Sequence, residues 1–297
     1  MAGMHEGFVD VDGTLTAARD AKVSALDRGF LYGDSVFEVM RTYDGRAFHQ
    51  EQHLLRLASS CERLRIPMPI SIADLAARVQ RVVDAARMQL HMPDCNVRVT
   101  ITRGVGPLGL RLPSDPKPTV LVYALPLEPP KDAVYEQGIE VGLVHVGRAT
   151  DGTSAAGAKT SNYLTSVLAL DDVAKRGAQE AIVVGAQGEL IEGATSNLFI
   201  VRQGALETPP LSSGILAGIT RAAIIDLASR LHIPCKQQTL TSADLYGADE
   251  AFITSTIREL LPVVRADGVT VGSGAPGPIY GSLLTAYRQL ARAHTVA

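Results

Sequence analysis

Lys159 stands in Ala-Gly-Ala-Lys-Thr-Ser-Asn-Tyr, with Tyr163 four residues on and Glu-Gly-Ala-Thr-Ser-Asn-Leu-Phe beginning at Glu192. The lysine follows a run of small residues (Ala155, Ala156, Gly157, Ala158) and precedes Leu164, Val167, Leu168 and Leu170, whose spacing predicts an apolar helix. A lysine withdrawn from water loses part of its preference for the charged form, and its neutral amine can attack a carbonyl and form a Schiff base. At helical spacing Lys159 and Tyr163 would share one face. On its local sequence alone, the same lysine reads equally well as a solvated charge ahead of a helix.

Other chemistries find less support. Gly104-Val105-Gly106 lacks the strand-to-helix context of a dinucleotide loop. No Gly-x-Ser-x-Gly elbow is present for a serine hydrolase. The seven histidines are read as giving no metal site, so the expected metal is none. The three cysteines, Cys61, Cys95 and Cys235, are scattered and odd in number, which suits reduced thiols in a cytoplasmic protein. A net charge of −3 gives no reason to expect nucleic acid or an anionic membrane as partner. No basic-plus-apolar leader is visible at the N-terminus, and no apolar run reaches the roughly 18 residues of a membrane span.

The elements that must position these residues alternate along 297 residues, of which 46% are hydrophobic. Phe8 to Leu15 turns at Asp12-Gly13 and Val36 to Phe48 turns at Asp44-Gly45, so both read as hairpins. Leu54, Leu57, Cys61 and Leu64 recur at helical spacing, as do Leu75, Val79, Val82, Ala86 and Leu90. Val97, Val99 and Ile101 alternate with polar residues, and Thr119 to Leu125 forms a second strand after an ordered, Gly- and Pro-rich loop from Gly104 to Pro118. Prolines at 126, 129 and 130 place a linker over 125–133, between a small domain (1–124) and a larger one (134–297). In the larger domain, strands are expected at Ile139 to Val146, Ala181 to Gly185, Leu190 to Val201 and around Phe252. Helices are expected from Ile219 to Leu231 and from Ile279 to Ala293. This intermixing suggests an α+β or α/β chain without fixing its topology.

From about Arg28 to about Tyr287, the sequence resembles the class IV family of pyridoxal-phosphate enzymes. That family holds branched-chain aminotransferases, D-amino acid aminotransferases and aminodeoxychorismate lyases. The resemblance implies a two-domain fold of type IV, with a small N-terminal α+β domain and a larger C-terminal pseudo-barrel domain. It implies pyridoxal 5′-phosphate as cofactor, an amino acid and a 2-oxo acid as substrates, and a homodimer in which a loop of one subunit closes the neighbour's pocket.

Lys159 then resembles the lysine that forms the aldimine with the cofactor and carries the proton between Cα and C4′. Glu192, in the matching Glu-Gly-x-x-x-Asn-Leu-Phe string with Asn197, resembles the acid that keeps the pyridine nitrogen protonated. Tyr163 resembles the tyrosine that donates to the ring's 3′ oxygen, and Leu216 the residue that packs on the ring face. Gly218, Ile219 and Thr220 open a predicted helix whose free N–H groups could hold a phosphate. Ser255, Thr256 and Arg56, the last in His53-x-x-Arg56, match the other phosphate donors.

Within the family the pocket residues are mixed. The segment Thr102 to Leu110 resembles a loop of branched-chain enzymes, with Leu108 and Leu110 where D-amino acid enzymes carry an arginine and a histidine; Arg111 is one residue away. Tyr32, Phe37 and Arg98 match pocket-wall residues of branched-chain enzymes. Val39 stands where those enzymes usually carry glycine, and Ser255-Thr-Ile257-Arg258-Glu replaces their Gly-Thr-Ala-Ala-Glu. Arg258 would therefore lie near the substrate carboxylate, as a second anchor or a restriction on entry. The expected activity is ping-pong transamination of branched-chain L-amino acids with 2-oxoglutarate, ahead of a D-amino acid or (R)-amine transaminase and then an aminodeoxychorismate lyase.

Overall fold

A computed structural model describes residues 6–145 and 157–296; Ala155 and Ala156 of the small-residue run and Val146 of the expected strand lie outside them. The chain forms two units. One comprises residues 6–128, 158–162 and 291–296, and the other residues 129–145, 157 and 163–290.

The first unit contains β1 (Phe8–Val11), β2 (Thr14–Ala17), α1 (Arg28–Tyr32), β3 (Ser35–Tyr43), β4 (Arg46–Ala47), α2 (Gln50–Leu64), α3 (Ile72–Leu90), β5 (Cys95–Thr102) and β6 (Val120–Pro126). Its six strands form one antiparallel sheet in the order β2-β1-β6-β5-β3-β4. Both Asp-Gly turns have positive φ at each central residue, as two-residue hairpins require. Strand alternation sorts the sheet into two faces. Val36, Met40, Val97, Val99 and Ile101 join Leu54 and Leu57 of α2 and Leu75 and Val79 of α3 in one core. Phe37, Val39, Arg98, Thr100 and Tyr123 occupy the other face, in the cross-strand pairs Phe37 with Thr100, Val39 with Arg98, and Arg98 with Tyr123.

The lysine segment corrects an expectation. Phe37 N–H donates to the Lys159 carbonyl at 3.0 Å and Ser161 N–H to the Ser35 carbonyl at 3.1 Å, with a bridge between Val36 and Thr160. Lys159 therefore runs as an extended stretch beside β3. Its helical spacing with Tyr163 is not realised, because its carbonyl is taken by a distant strand. Strand β6 also runs on through Pro126, which pairs with Cys95 at the strand end, where a missing N–H is tolerated.

The second unit contains α4 (Asp132–Gln137), β7 (Ile139–His145), α5 (Leu164–Ala174), β8 (Glu180–Val184), β9 (Glu189–Gly193), β10 (Asn197–Arg202), β11 (Ala205–Thr208), α6 (Ile219–Arg230), β12 (Cys235–Gln237), β13 (Leu240–Thr241), α7 (Ser242–Tyr246), β14 (Glu250–Ser255), β15 (Glu259–Ala266), β16 (Val269–Thr270) and α8 (Pro278–Val296), whose last turns belong to the first unit. Its ten-stranded mixed sheet runs β12-β11-β10-β14-β15-β7-β8-β9-β13, with β16 beside β15. Ile182, Leu190, Leu198, Ile253 and Leu261 are among its core residues.

Two readings change in this unit. The single strand expected from Leu190 to Val201 breaks at Ala194–Ser196 into β9 and β10. The apolar residues Leu164, Val167 and Leu168 of α5 are exposed, while Ala169 and Val173 carry its buried side. Among the described residues, no helix is long and apolar enough to cross a membrane.

Candidate active site

In the first unit, the face of the sheet away from α2 and α3 gathers the lysine and several of the residues expected to line a pocket. Lys159 is half-buried. Its Nζ lies 4.5 Å from the centroid of the Phe37 ring, and the Arg98 guanidinium carbon lies 3.7 Å from that centroid. Arg98 Nε also donates to Thr100 Oγ1 at 3.1 Å. Val39 sits opposite Arg98, so an aliphatic side chain and a guanidinium share one row of the sheet. The Lys159 backbone N–H donates to Ser60 Oγ of α2 at 3.2 Å, which fixes the amine's starting point without using the amine itself.

Arg56 lies on α2 and meets Glu38, a β3 residue of the core-facing alternation. Arg56 Nε donates to Glu38 Oε1 at 2.6 Å and Nη2 to Oε2 at 2.7 Å, while His53 Nδ1 contacts Oε2 at 2.7 Å. Burial pushes Glu38 up, but hydrogen bonds from Arg56 and His53 outweigh it and bring its pKa down to about 2. The carboxylate therefore stays charged and orients the arginine expected at the phosphate. Periodicity carried a usable signal here: an acid in the core-facing series Val36, Glu38, Met40 requires a charged or hydrogen-bonding partner. His49 and His53 stand four apart, but His49 is the N-cap residue of α2 in a left-handed conformation, without a side-chain capping bond, and His53 is engaged by Glu38. The described residues contain no group of three or more metal-ligating side chains.

Tyr32 ends α1, a helix capped by Asp27, whose Oδ1 accepts from Gly29 N–H at 2.7 Å. Asp34, just beyond, takes a two-pronged bond from Arg103 at 2.7 and 2.9 Å and one from Arg28 at 3.0 Å. These outweigh burial and hold its carboxyl below the usual range. The expected 104–118 loop is anchored by Arg28 Nη1 to the Gly109 carbonyl at 2.9 Å and by Gly109 N–H to the Tyr32 hydroxyl at 2.9 Å. Gly104 admits no side chain, since an added Cβ would lie 1.8 Å from the Lys117 carbonyl oxygen. At the loop tip, Leu108 and Leu110 are 75% and 82% exposed, and Arg111 is exposed beside them.

The second unit gathers most of the remaining candidates. Glu192 Oε2 accepts Leu216 N–H at 3.0 Å, and Asn197 Nδ2 lies 3.5 Å from the same oxygen while donating to the Leu216 carbonyl at 3.1 Å. Residues 192, 197 and 216 thus form one cluster. It leads directly to Gly218, the N-cap of α6, where no side chain caps the helix. An added Cβ at Gly218 would lie 1.9 Å from Asn197 Oδ1, so only glycine lets the helix start this close to the cluster. Ile219 and the buried Thr220 form the first turn, where N–H groups and the helix dipole favour an anion.

Asn197 faces Thr254 across the β10–β14 pair. Thr254 Oγ1 is buried with no hydrogen-bond partner among the described residues, so this face keeps an unmet polar demand. Ser255 ends β14, and Thr256, Ile257 and Arg258 form the half-buried turn that follows. Tyr163 is the half-buried N-cap residue of α5. A fixed carboxylate, an uncapped helix start and a row of hydroxyls fit a cationic heteroaromatic ring bearing a phosphate.

Two further carboxylates, Glu38 and Glu180, escaped the sequence reading although both shape candidate residues. Glu180, at the head of β8, is fully buried and takes Arg258, Thr195 and Ser196 as partners.

A family model described as amino-transferase class IV matches residues 35–266, and the chain belongs to that family: it is an aminotransferase of fold type IV. A putative branched-chain-amino-acid aminotransferase of Methanocaldococcus jannaschii is 37% identical over 280 residues, covering 94% of this chain and 95% of that protein. A D-alanine aminotransferase of Bacillus licheniformis is 31% identical, covering 93% and 94%. The T.th. branched-chain amino acid aminotransferase, solved as a complex with N-(5′-phosphopyridoxyl)-L-glutamate, superposes with a TM-score of 0.88 at 30% identity, covering 97% and 95%.

Proposed function

We propose that the chain is a pyridoxal 5′-phosphate-dependent transaminase that moves an amino group between branched-chain L-amino acids and 2-oxoglutarate in a ping-pong cycle. The observation that carries the cofactor reading is the Glu192–Asn197–Leu216 cluster running into the uncapped start of α6. The bound cofactor would supply an aldehyde that exchanges amines and a ring that withdraws electrons. Glu192 would hold the proton on the ring nitrogen, and Gly218, Ile219, Thr220, Ser255, Thr256 and Arg56 would hold the phosphate. Tyr163 would donate to the ring hydroxyl oxygen, and Leu216 would cover a ring face. Lys159 would supply the bonding amine and carry the substrate's α-proton. The phosphopyridoxyl-glutamate complex of the T.th. relative supports both the cofactor and a dicarboxylic partner.

For the substrate, the row formed by Val39 and Arg98 supports an apolar side chain in one half-reaction and a carboxylate in the other. Arginine pairs well with carboxylates when water is excluded. Arg98→Leu should raise the KM for 2-oxoglutarate by about 10- to 100-fold, equivalent to one charged hydrogen bond, while sparing the leucine half-reaction. Single-turnover rates with each substrate measure this, and equal loss in both would exclude a distal-carboxylate role. A panel of matched L- and D-amino acids and (R)- and (S)-amines tests the donor. Val39 in place of glycine and the D-alanine aminotransferase relative favour a second reading, a D-amino acid transaminase. Preference for D-alanine over L-leucine would install it.

The assembly we infer is a homodimer. Leu108 and Leu110 project from an anchored loop, and an ordered exposed apolar tip suits contact with another subunit. Light scattering at assay concentration should give twice the chain mass. An active monomer would defeat this assignment.

A further inference from the structure

Arg258 stands in the turn after β14, and its side chain joins three segments of the second unit. Nη2 donates to Glu180 Oε2 and to Thr195 Oγ1, both at 2.7 Å, and lies 3.4 Å from the Thr195 carbonyl. Nε donates to Ser255 Oγ at 3.1 Å. Glu180 is fully buried and its remaining capacity is used: Oε1 accepts Ala181 N–H at 3.0 Å, and Oε2 also accepts Thr195 Oγ1 at 2.9 Å and Ser196 Oγ at 3.1 Å. The Arg258 carbonyl in turn accepts the Tyr135 hydroxyl at 3.2 Å.

The segments so joined are those that carry the cofactor candidates. Thr195 and Ser196 lie in the turn between Glu192 and Asn197, and Ser255 and Thr256 lead into the turn that ends at Arg258. A buried carboxylate is stable only with its cation and hydrogen bonds in place, so Glu180 binds the guanidinium, and the guanidinium ties the two turns together. Alanine would offer Glu180 and Ser255 no donor, and a neutral residue would leave Glu180 without its countercharge.

We propose that Arg258 is a positioning residue: its ion pair with Glu180 holds the 194–196 turn and Ser255 in the geometry that receives the cofactor. This rests on the cofactor reading given above and extends it to a side chain that does not itself touch the cofactor. The guanidinium is directed at Glu180, Thr195 and Ser255, so it acts as a brace rather than a second anchor for the substrate carboxylate.

The test is an equilibrium titration of full-length protein, stripped of cofactor, with pyridoxal 5′-phosphate, for the parent and for Arg258→Met and Arg258→Lys. Melting of the cofactor-free forms and KM for the amino donor are measured alongside. Arg258→Met should raise the Kd for pyridoxal 5′-phosphate about 10- to 100-fold, the scale of one lost charged hydrogen bond. Arg258→Lys, which keeps a cation opposite Glu180, should recover part of that loss. A lower melting temperature with unchanged Kd would mean that Arg258 only stabilises the fold, and an unchanged Kd with a raised KM would make it a substrate anchor; either overturns the proposal. If Arg258→Met does not fold, the Lys variant decides, since full parental affinity there and in Glu180→Gln would also overturn it. A parent that binds no pyridoxal 5′-phosphate would instead defeat the cofactor reading, and this inference with it.

Discussion

Lys159→Ala is expected to abolish turnover while leaving a folded protein that still takes up pyridoxal 5′-phosphate without a covalent bond. Two of the contacts that hold this segment are made by the Lys159 backbone: the carbonyl accepts Phe37 N–H and the N–H donates to Ser60 Oγ. Truncating the side chain leaves both intact, so the variant should melt close to the parent. Activity should fall by more than the roughly 10²–10⁴-fold carried by one positioned proton-transfer group, because the same amine would also form the covalent link. Borohydride treatment of the parent should add the cofactor's mass to the peptide containing Lys159. Normal turnover in the variant, or the added mass on another lysine, would sink the assignment.

Glu192→Gln carries the second large effect. An amide oxygen can still accept Leu216 N–H, so the local structure should persist. What is lost is the negative charge that would keep a ring nitrogen protonated. Cα deprotonation should slow by about 10²–10⁴-fold, with a much smaller change in cofactor affinity, since the α6 start and its hydroxyl neighbours are untouched. Stopped-flow single-turnover rates read this directly. Rates equal to the parent's would remove Glu192 from the chemistry.

Elements whose local pattern agrees with their environment were legible in the sequence. The two Asp-Gly hairpins, the long helices α2 and α3, and β5 with its alternation all follow from spacing, because each buries one face against the same core. Short elements such as α1, α7 and β11–β13 were not, since two to five residues hold too little periodicity. Where the reading failed, a distant partner decided the local structure. The break at Ala194–Ser196 is stabilised by Glu180, 14 residues before its first residue. The extended backbone at Lys159 is set by β3, more than a hundred residues away. The clustering of Glu192, Asn197 and Leu216 follows this logic, but the matching string had already singled out two of its members. Arg258 was visible as a departure, yet nothing in its neighbourhood could reveal a carboxylate 78 residues upstream.

The first unit is assembled from three separate stretches of chain, and this sets an order on its biosynthesis. Its sheet can close once β6 has emerged, but the strip that carries Lys159 arrives later. The last helical turns arrive last of all, with His294 Nε2 at 3.2 Å from the Ala47 carbonyl and its ring stacked edge-on to Phe48 at 5.3 Å. A nascent chain can therefore display a nearly finished sheet before the Lys159 strip and the terminal clasp have been added to it. Such long-range closures slow folding and leave partly built surfaces open to association. A fragment ending at residue 128 would lack both the amine and the clasp.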